Sequence, residues 1–160
     1  MEVRSWMTRD VRTVSPLDSV ARAKQLLEEY RINQLPVVVE GKLVGILTDR
    51  DVRDALASAA ELSGPARQGV DPRHMTVETV MTPHVLTVLP EDSIVYAARL
   101  LRRERIGALP VVEGTRLVGI ITRSDLLEAL VELAALRSGS SSEARRARFD
   151  EPFVDTAQHP

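Results

Sequence analysis

Cysteine is absent from the 160 residues, which removes disulfides, thiol nucleophiles and Cys-ligated zinc together. That suits a reducing cytoplasm. No apolar run reaches the roughly 18 residues that a membrane-spanning helix needs, and the N-terminus lacks the apolar stretch of a secretory signal. A soluble, cytoplasmic protein without a membrane partner is expected. Net charge is −2, and Lys and Arg are scattered without forming a basic stripe, so a nucleic-acid duplex is a poor partner. No glycine-rich phosphate loop, nucleophile elbow or paired-carboxylate cleft is found, and His74, His84 and His159 share no metal-ligand spacing. These gaps point away from an enzyme and from a metal site. The chain is 44% hydrophobic and 28% charged, enough to bury one ordinary core or two small ones.

What is present is a repeat. Met7-Thr8 aligns with Met81-Thr82, 74 positions on, and the offset holds without a gap through Ala55-Leu56 against Ala129-Leu130. About half of the paired positions are identical. Two copies at a period longer than a solenoid unit imply a pseudo-two-fold pair.

Each copy carries the same elements. Val11 to Val14 alternates as a short strand, stopped by Ser15-Pro16. Asp18 or Ser19 can cap the helix that follows, whose stripe is Val20, Ala23, Leu26, Leu27 and Tyr30. Ile94, Ala97, Leu100 and Leu101 repeat that stripe. After the helix, Asn33 in one copy replaces Gly107 in the other, the two residue types that tolerate a left-handed C-terminal position. Val37 to Val39 and Leu43 to Leu47 read as strands covered on both faces, joined at Glu40-Gly41. In the second copy the turn reads one step earlier, at Glu113-Gly114. A second helix opens at Thr48 with Val52, Ala55, Leu56 and Ala59. The expected order is strand–helix–strand–strand–helix, twice: repeats at 3–60 and 77–136, a linker at 61–76 rich in Gly and Pro, and a polar, disordered tail at 137–160.

Met-Thr, Ile-x-x-Leu-Pro-Val-Val, Leu-Val-Gly-Ile and Thr-x-x-Asp, all twice and in register, resemble a tandem cystathionine-β-synthase (CBS) domain pair, or Bateman module. Asp49-Arg50-Asp51-Val52-Arg53 is also similar to small stand-alone bacterial CBS proteins. The resemblance implies an α/β (α+β) fold of two pseudo-symmetric β-α-β-β-α repeats packed through their sheets. It implies a regulatory sensor with no obligatory cofactor, holding an adenosyl compound in clefts between the repeats and passing that state to an effector protein. The ligand would be AMP, with ADP, ATP, S-adenosylmethionine or NAD as alternatives. Polyphosphate-binding members place basic residues before the Leu-Pro-Val strand. Asn33-Gln34 and Gly107-Ala108 stand there in this chain, which favours a phosphate-poor ligand.

Carried over residue by residue, the resemblance sets Val85, Leu86, Ile106 and Gly107 beside Thr48 and Asp51. It sets Val11, Arg12, Ile32 and Asn33 beside Thr122 and Asp125. The Thr-x-x-Asp pairs admit two readings. A threonine N-cap with an acid three residues on is close to a capping box, worth about 1 kcal/mol. The same corner also offers free N–H groups and the positive helix end to an anion, and a carboxylate to ribose hydroxyls. Arg123 lies in the first helical turn against the dipole preference, which is explained if an anion sits beside it. On that reading the second corner is the tighter nucleotide site, since Asp49 adds negative charge to the first. A ligand-free assembly module is the alternative. Leu126, Leu127, Leu130, Val131, Leu133, Ala134 and Leu136 make the last helix apolar around most of its girth, which points to a homodimer with helices at its interface.

Overall fold

The computed structural model describes residues 1–62 and 74–137. The expected linker falls mainly on residues 63–73 and the expected tail beyond Arg137, both outside the described residues. The described residues up to Leu126 form one compact unit and those from Leu127 to Arg137 belong to a second. The first repeat gives α1 (Val20–Tyr30), β1 (Gln34–Val39), β2 (Lys42–Thr48) and α2 (Asp49–Leu62). The second gives α3 (Ile94–Glu104), β3 (Ala108–Glu113), β4 (Arg116–Thr122) and α4 (Arg123–Arg137).

Helices α1 and α3 form on their apolar stripes, with Val20, Ala23 and Leu27 buried in one and Ile94, Ala97, Leu100 and Leu101 in the other. The N-cap is serine: Ser19 Oγ accepts from Arg22 N–H, and Ser93 Oγ from Tyr96 N–H, each at 3.1 Å. Asp18 instead accepts Ser15 N–H at 2.7 Å and turns the chain ahead of the helix. That turn explains why the strand expected at 11–14 shrinks to a single parallel bridge, Val14 to Val37, repeated as Val88 to Val111. Both helices end on a left-handed arginine, Arg31 (φ 51°) and Arg105 (φ 57°). The left-handed role therefore does not fall to Asn33 or Gly107. It falls two residues earlier because Ile32 and Ile106 return their N–H groups to Leu27 and Leu101 at 3.0 and 3.1 Å, an apolar helix-ending loop. The hairpin turn of the first copy is left-handed at Glu40 (φ 51°) and Gly41 (φ 79°), the primed form that matches strand twist. In the second copy the turn falls between Glu113 and Arg116, which pair across it. It keeps the repeat offset rather than moving a step earlier.

One antiparallel sheet runs β1-β2-β4-β3. The hairpins join at one rung, Lys42 opposite Arg116. Beyond it, the inner edges of β2 and β4 are covered by the Met-Thr segments, and each segment comes from the other repeat. Thr8 exchanges two N–H···O bonds with Ile120, both 2.9 Å, and Thr82 does the same with Ile46 at 2.9 and 3.0 Å. The exchange starts further upstream: Val3 N–H donates to Asp92 O at 2.8 Å and Val77 N–H to Asp18 O at 2.9 Å. Val3 and Val77 are fully buried, and Val77 packs in the first repeat's core with Val14, Val20, Leu27, Leu35, Val37, Leu47 and Val52. Each repeat is thus completed by its neighbour's lead-in. Gly45 and Gly119 admit the lead-ins: a β-carbon there would lie 2.5 Å from Met81 Sδ and 2.6 Å from Met7 Sδ.

Cover on both faces holds for the middle of β1 and for nearly all of β3, but not for the turn end of β2, where Val44 stays exposed. In the second unit, α4 continues to Arg137, and Leu127, Leu130, Val131 and Leu136 there are between 60% and 75% exposed.

Candidate functional site

β2 and β4 each end on a threonine that hands the chain to a helix. Thr48 N–H and Oγ1–H both donate to Asp51 Oδ2, at 2.9 and 2.6 Å, and Asp51 N–H donates back to Thr48 Oγ1 at 3.2 Å. Thr122 and Asp125 repeat this at 2.6, 2.8 and 3.3 Å. The capping reading is therefore realised in both copies. It engages one carboxylate oxygen. Oδ1 of Asp51 and of Asp125 accepts no hydrogen bond among the described residues. Charge distinguishes the two corners. At the first, Asp49 Oδ2 pairs with Arg53 Nε at 3.0 Å and Arg50 Nε lies 4.0 Å from Asp54. At the second, Arg123 is exposed and has no ion-pair partner among the described residues.

The two corners adjoin. Asn33 O accepts Asp49 N–H at 2.9 Å, and Gly107 O accepts Arg123 N–H at 3.1 Å. Gln34 pairs with Thr48 and Ala108 with Thr122 across their hairpins. The Gln34 side chain reaches across to the other repeat, since a β-carbon on Gly107 would lie 2.6 Å from its Nε2.

Two clefts lie at the turn ends of the hairpins. One, of about 320 Å³, is lined by Leu43, Val44, His84, Val85, Thr87 and Val112 among others. Its counterpart, of about 240 Å³, is lined by Arg9, Asp10, Val11, Thr13, Leu117 and Val118 among others. Val85 and Val11 thus share these clefts with residues of the opposite repeat's strand. They do so on the turn side of the Ile46–Thr82 and Ile120–Thr8 pairs, and Thr48, Asp51, Thr122 and Asp125 line neither cleft. The guanidinium of Arg12 sits over the Tyr30 ring, 4.4 Å from its centre, with Asp10 at 3.9 Å. Leu86 is exposed, and Ile32 packs on the first core. Asn33 and Gly107 each hold, through their carbonyls, the first N–H of the helix in their own repeat. Among the described residues, no acid or histidine cluster could hold a metal ion, and no helix is long and apolar enough to cross a membrane.

The family model for the CBS domain matches residues 3–58 and again residues 77–132. The chain belongs to the CBS-domain family. The CBS domain-containing protein YhcV of Bacillus subtilis is 36% identical over 124 residues, which cover 78% of this chain and 81% of YhcV. Inosine-5'-monophosphate dehydrogenase of Korarchaeum cryptofilum is 39% identical over 162 residues, 94% of this chain but 31% of the enzyme. The CBS pair thus spans under a third of that relative's length. Among solved structures, CBSX2 in complex with AMP superposes with a TM-score of 0.70 at 30% identity, covering 83% of this chain and 98% of CBSX2. The CBS domain pair of protein MJ0100, with 5'-methylthioadenosine and S-adenosyl-L-methionine, gives 0.69 at 29%, covering 82% and 97%.

Three features of this CBS pair escaped the sequence: the exchanged lead-ins, the Arg12–Tyr30 stack and the reach of Gln34. The first carried a signal. A glycine in mid-strand, at 45 and again at 119, marks close approach by another segment. The other two depend on side-chain reach across a pseudo-dyad, which spacing along one chain does not encode.

Proposed function

We propose that this CBS pair is a regulatory module that binds an adenosyl ligand between its repeats, AMP first among the candidates, and passes the occupied state to an effector protein. The module is a sensor rather than a catalyst. It acts in the cytoplasm as a homodimer joined through its last helices, whose exposed leucines supply the apolar surface. The supporting observation is the pair of half-used carboxylates: Asp51 and Asp125 hold their caps through Oδ2, which leaves Oδ1 for ribose hydroxyls at the positive end of each helix. CBSX2 with AMP and MJ0100 with its two adenosyl compounds supply the ligand class. In the proposal Thr48 and Asp51 work with Val85, Leu86, Ile106 and Gly107, and Thr122, Arg123 and Asp125 with Val11, Arg12, Ile32 and Asn33. Arg123, which has no ion-pair partner among the described residues, makes the second corner the tighter site.

A ligand-free assembly module is the second reading, favoured by the fact that each Thr-x-x-Asp pair makes a complete helix cap from its own groups. A thermal-shift panel of AMP, ADP, ATP, S-adenosylmethionine and NADH separates the two. A ligand at about a hundred times its Kd stabilises the fold by about 2.7 kcal/mol, a clear rise in melting temperature. A flat response across the panel would leave the assembly reading.

A further inference from the structure

We infer that the second lead-in is a methionine-oxidation site, at which a peroxide releases the inner edge of the first repeat. The chain has no cysteine and four methionines. All four stand in the lead-ins, Met1 and Met7 in the first and Met75 and Met81 in the second, at the repeat offset. The sulfur that this protein offers to an oxidant is therefore gathered in the two segments that complete its repeats. Their surroundings differ. In the first lead-in Met1 is 52% exposed at the terminus, but Met7 only 9%. In the second, Met75 and Met81 are both partly buried, at the margin of the first repeat's core. Their segment also holds that repeat by main-chain bonds: Met75 O accepts Val20 N–H at 2.8 Å, and Thr82 exchanges its pair of bonds with Ile46. Because susceptibility follows exposure, an oxidant reaches the sulfur that holds the first repeat before Met7, which holds the second.

The step is a two-electron oxidation. A sulfur lone pair of Met81 attacks one oxygen of hydrogen peroxide, the O–O bond breaks and an S–O bond forms. The second oxygen leaves as water, taking the proton of the first. Met81 Sδ lies 2.5 Å from where a β-carbon on Gly45 would stand, so the strand side of that sulfur has no room for an added oxygen. A sulfoxide is also polar, and burial there without a donor is costly. It turns out to water, and Met81 leaves Gly45 as Thr82 leaves Ile46.

Graded hydrogen peroxide on the full chain, read by peptide mass spectrometry and hydrogen exchange, tests this. Met75 and Met81 should gain oxygen before Met7. Once Met81 is the sulfoxide, Ile46 N–H and Val20 N–H should exchange at least about fivefold faster, the low end of what burying an unpartnered polar group costs. Ile120 N–H, held by Thr8, should stay within about twofold of its starting rate. Methionine sulfoxide reductases with dithiothreitol should restore slow exchange. Met75→Leu with Met81→Leu, a volume-conserving pair, should keep slow exchange at the same peroxide dose. Oxidation of Met7 ahead of Met81, a Met81 sulfoxide that leaves Ile46 exchange unchanged, or an equal gain in the leucine variant overturns the site. The first two outcomes are read on the unsubstituted chain, so they decide the matter whether or not the leucine variant folds.

Discussion

Replacing Val3 by Ala tests the exchange of lead-ins, because the loss should appear in the repeat to which Val3 does not belong by sequence. Val3 is fully buried, so two methyl groups lose their burial at about 0.8 kcal/mol each. A residual cavity adds a further term at about 24 cal/mol per Å³, bringing the total to about 2–3 kcal/mol. For a domain of this size that lowers the melting temperature by roughly 4–12 °C. Hydrogen exchange locates the damage. Ile94 N–H, which donates to Met1 O at 3.1 Å, and Ile120 N–H, which donates to Thr8 O at 2.9 Å, lose protection first. Ile46 and Val20, held by Thr82 and Met75, keep theirs. Val77→Ala gives the inverse pattern. If Val3→Ala exposed the first repeat's amides instead, or shifted melting by less than 2 °C, the exchanged architecture would be wrong.

Gly119→Val brings side-chain carbon against Met7 Sδ and the Thr8 carbonyl, 2.6 and 3.1 Å from the β-carbon position. It should cost about 1–3 kcal/mol in urea denaturation, and Met7→Ala in the same chain should recover part of that loss. Thr122→Ala removes a cap and should cost about 1 kcal/mol without ligand, whereas a cost near zero would make the corner's hydrogen bonds incidental. Leu127→Glu with Leu130→Glu charges the exposed face of α4. Sedimentation at micromolar concentration should show a dimer before the change and a monomer after it.

Much of the fold was legible because the duplication made each element appear twice. Helix faces followed from three- and four-residue spacing, and the serine caps and the hairpins from local chemistry. The misplacements are local too. The left-handed residues fell on Arg31 and Arg105 because closing the helix on Leu27 and Leu101 outweighed the tolerance of Asn33 and Gly107 for positive φ. The strand at 11–14 yielded to the Ser15–Asp18 turn. At the candidate site, the caps were readable from Thr-x-x-Asp alone. The clefts at the turn ends were not, because Leu43-Val44 and Leu117-Val118 look like continuous core until the fold leaves one side of them open. Which repeat completes which core was hidden for a similar reason: a lead-in has the same composition whichever neighbour it joins.

The crossed lead-ins also set an order of events during synthesis. Thr8 leaves the ribosome before its partner Ile120, which is made more than a hundred residues later, a wait on the order of 10 s. The second segment, Val77 to Thr82, meets a first hairpin already complete, so the half translated first can close before the other exists. Closure of the later half must bring the Met7-Thr8 segment back to a strand made after the whole first repeat.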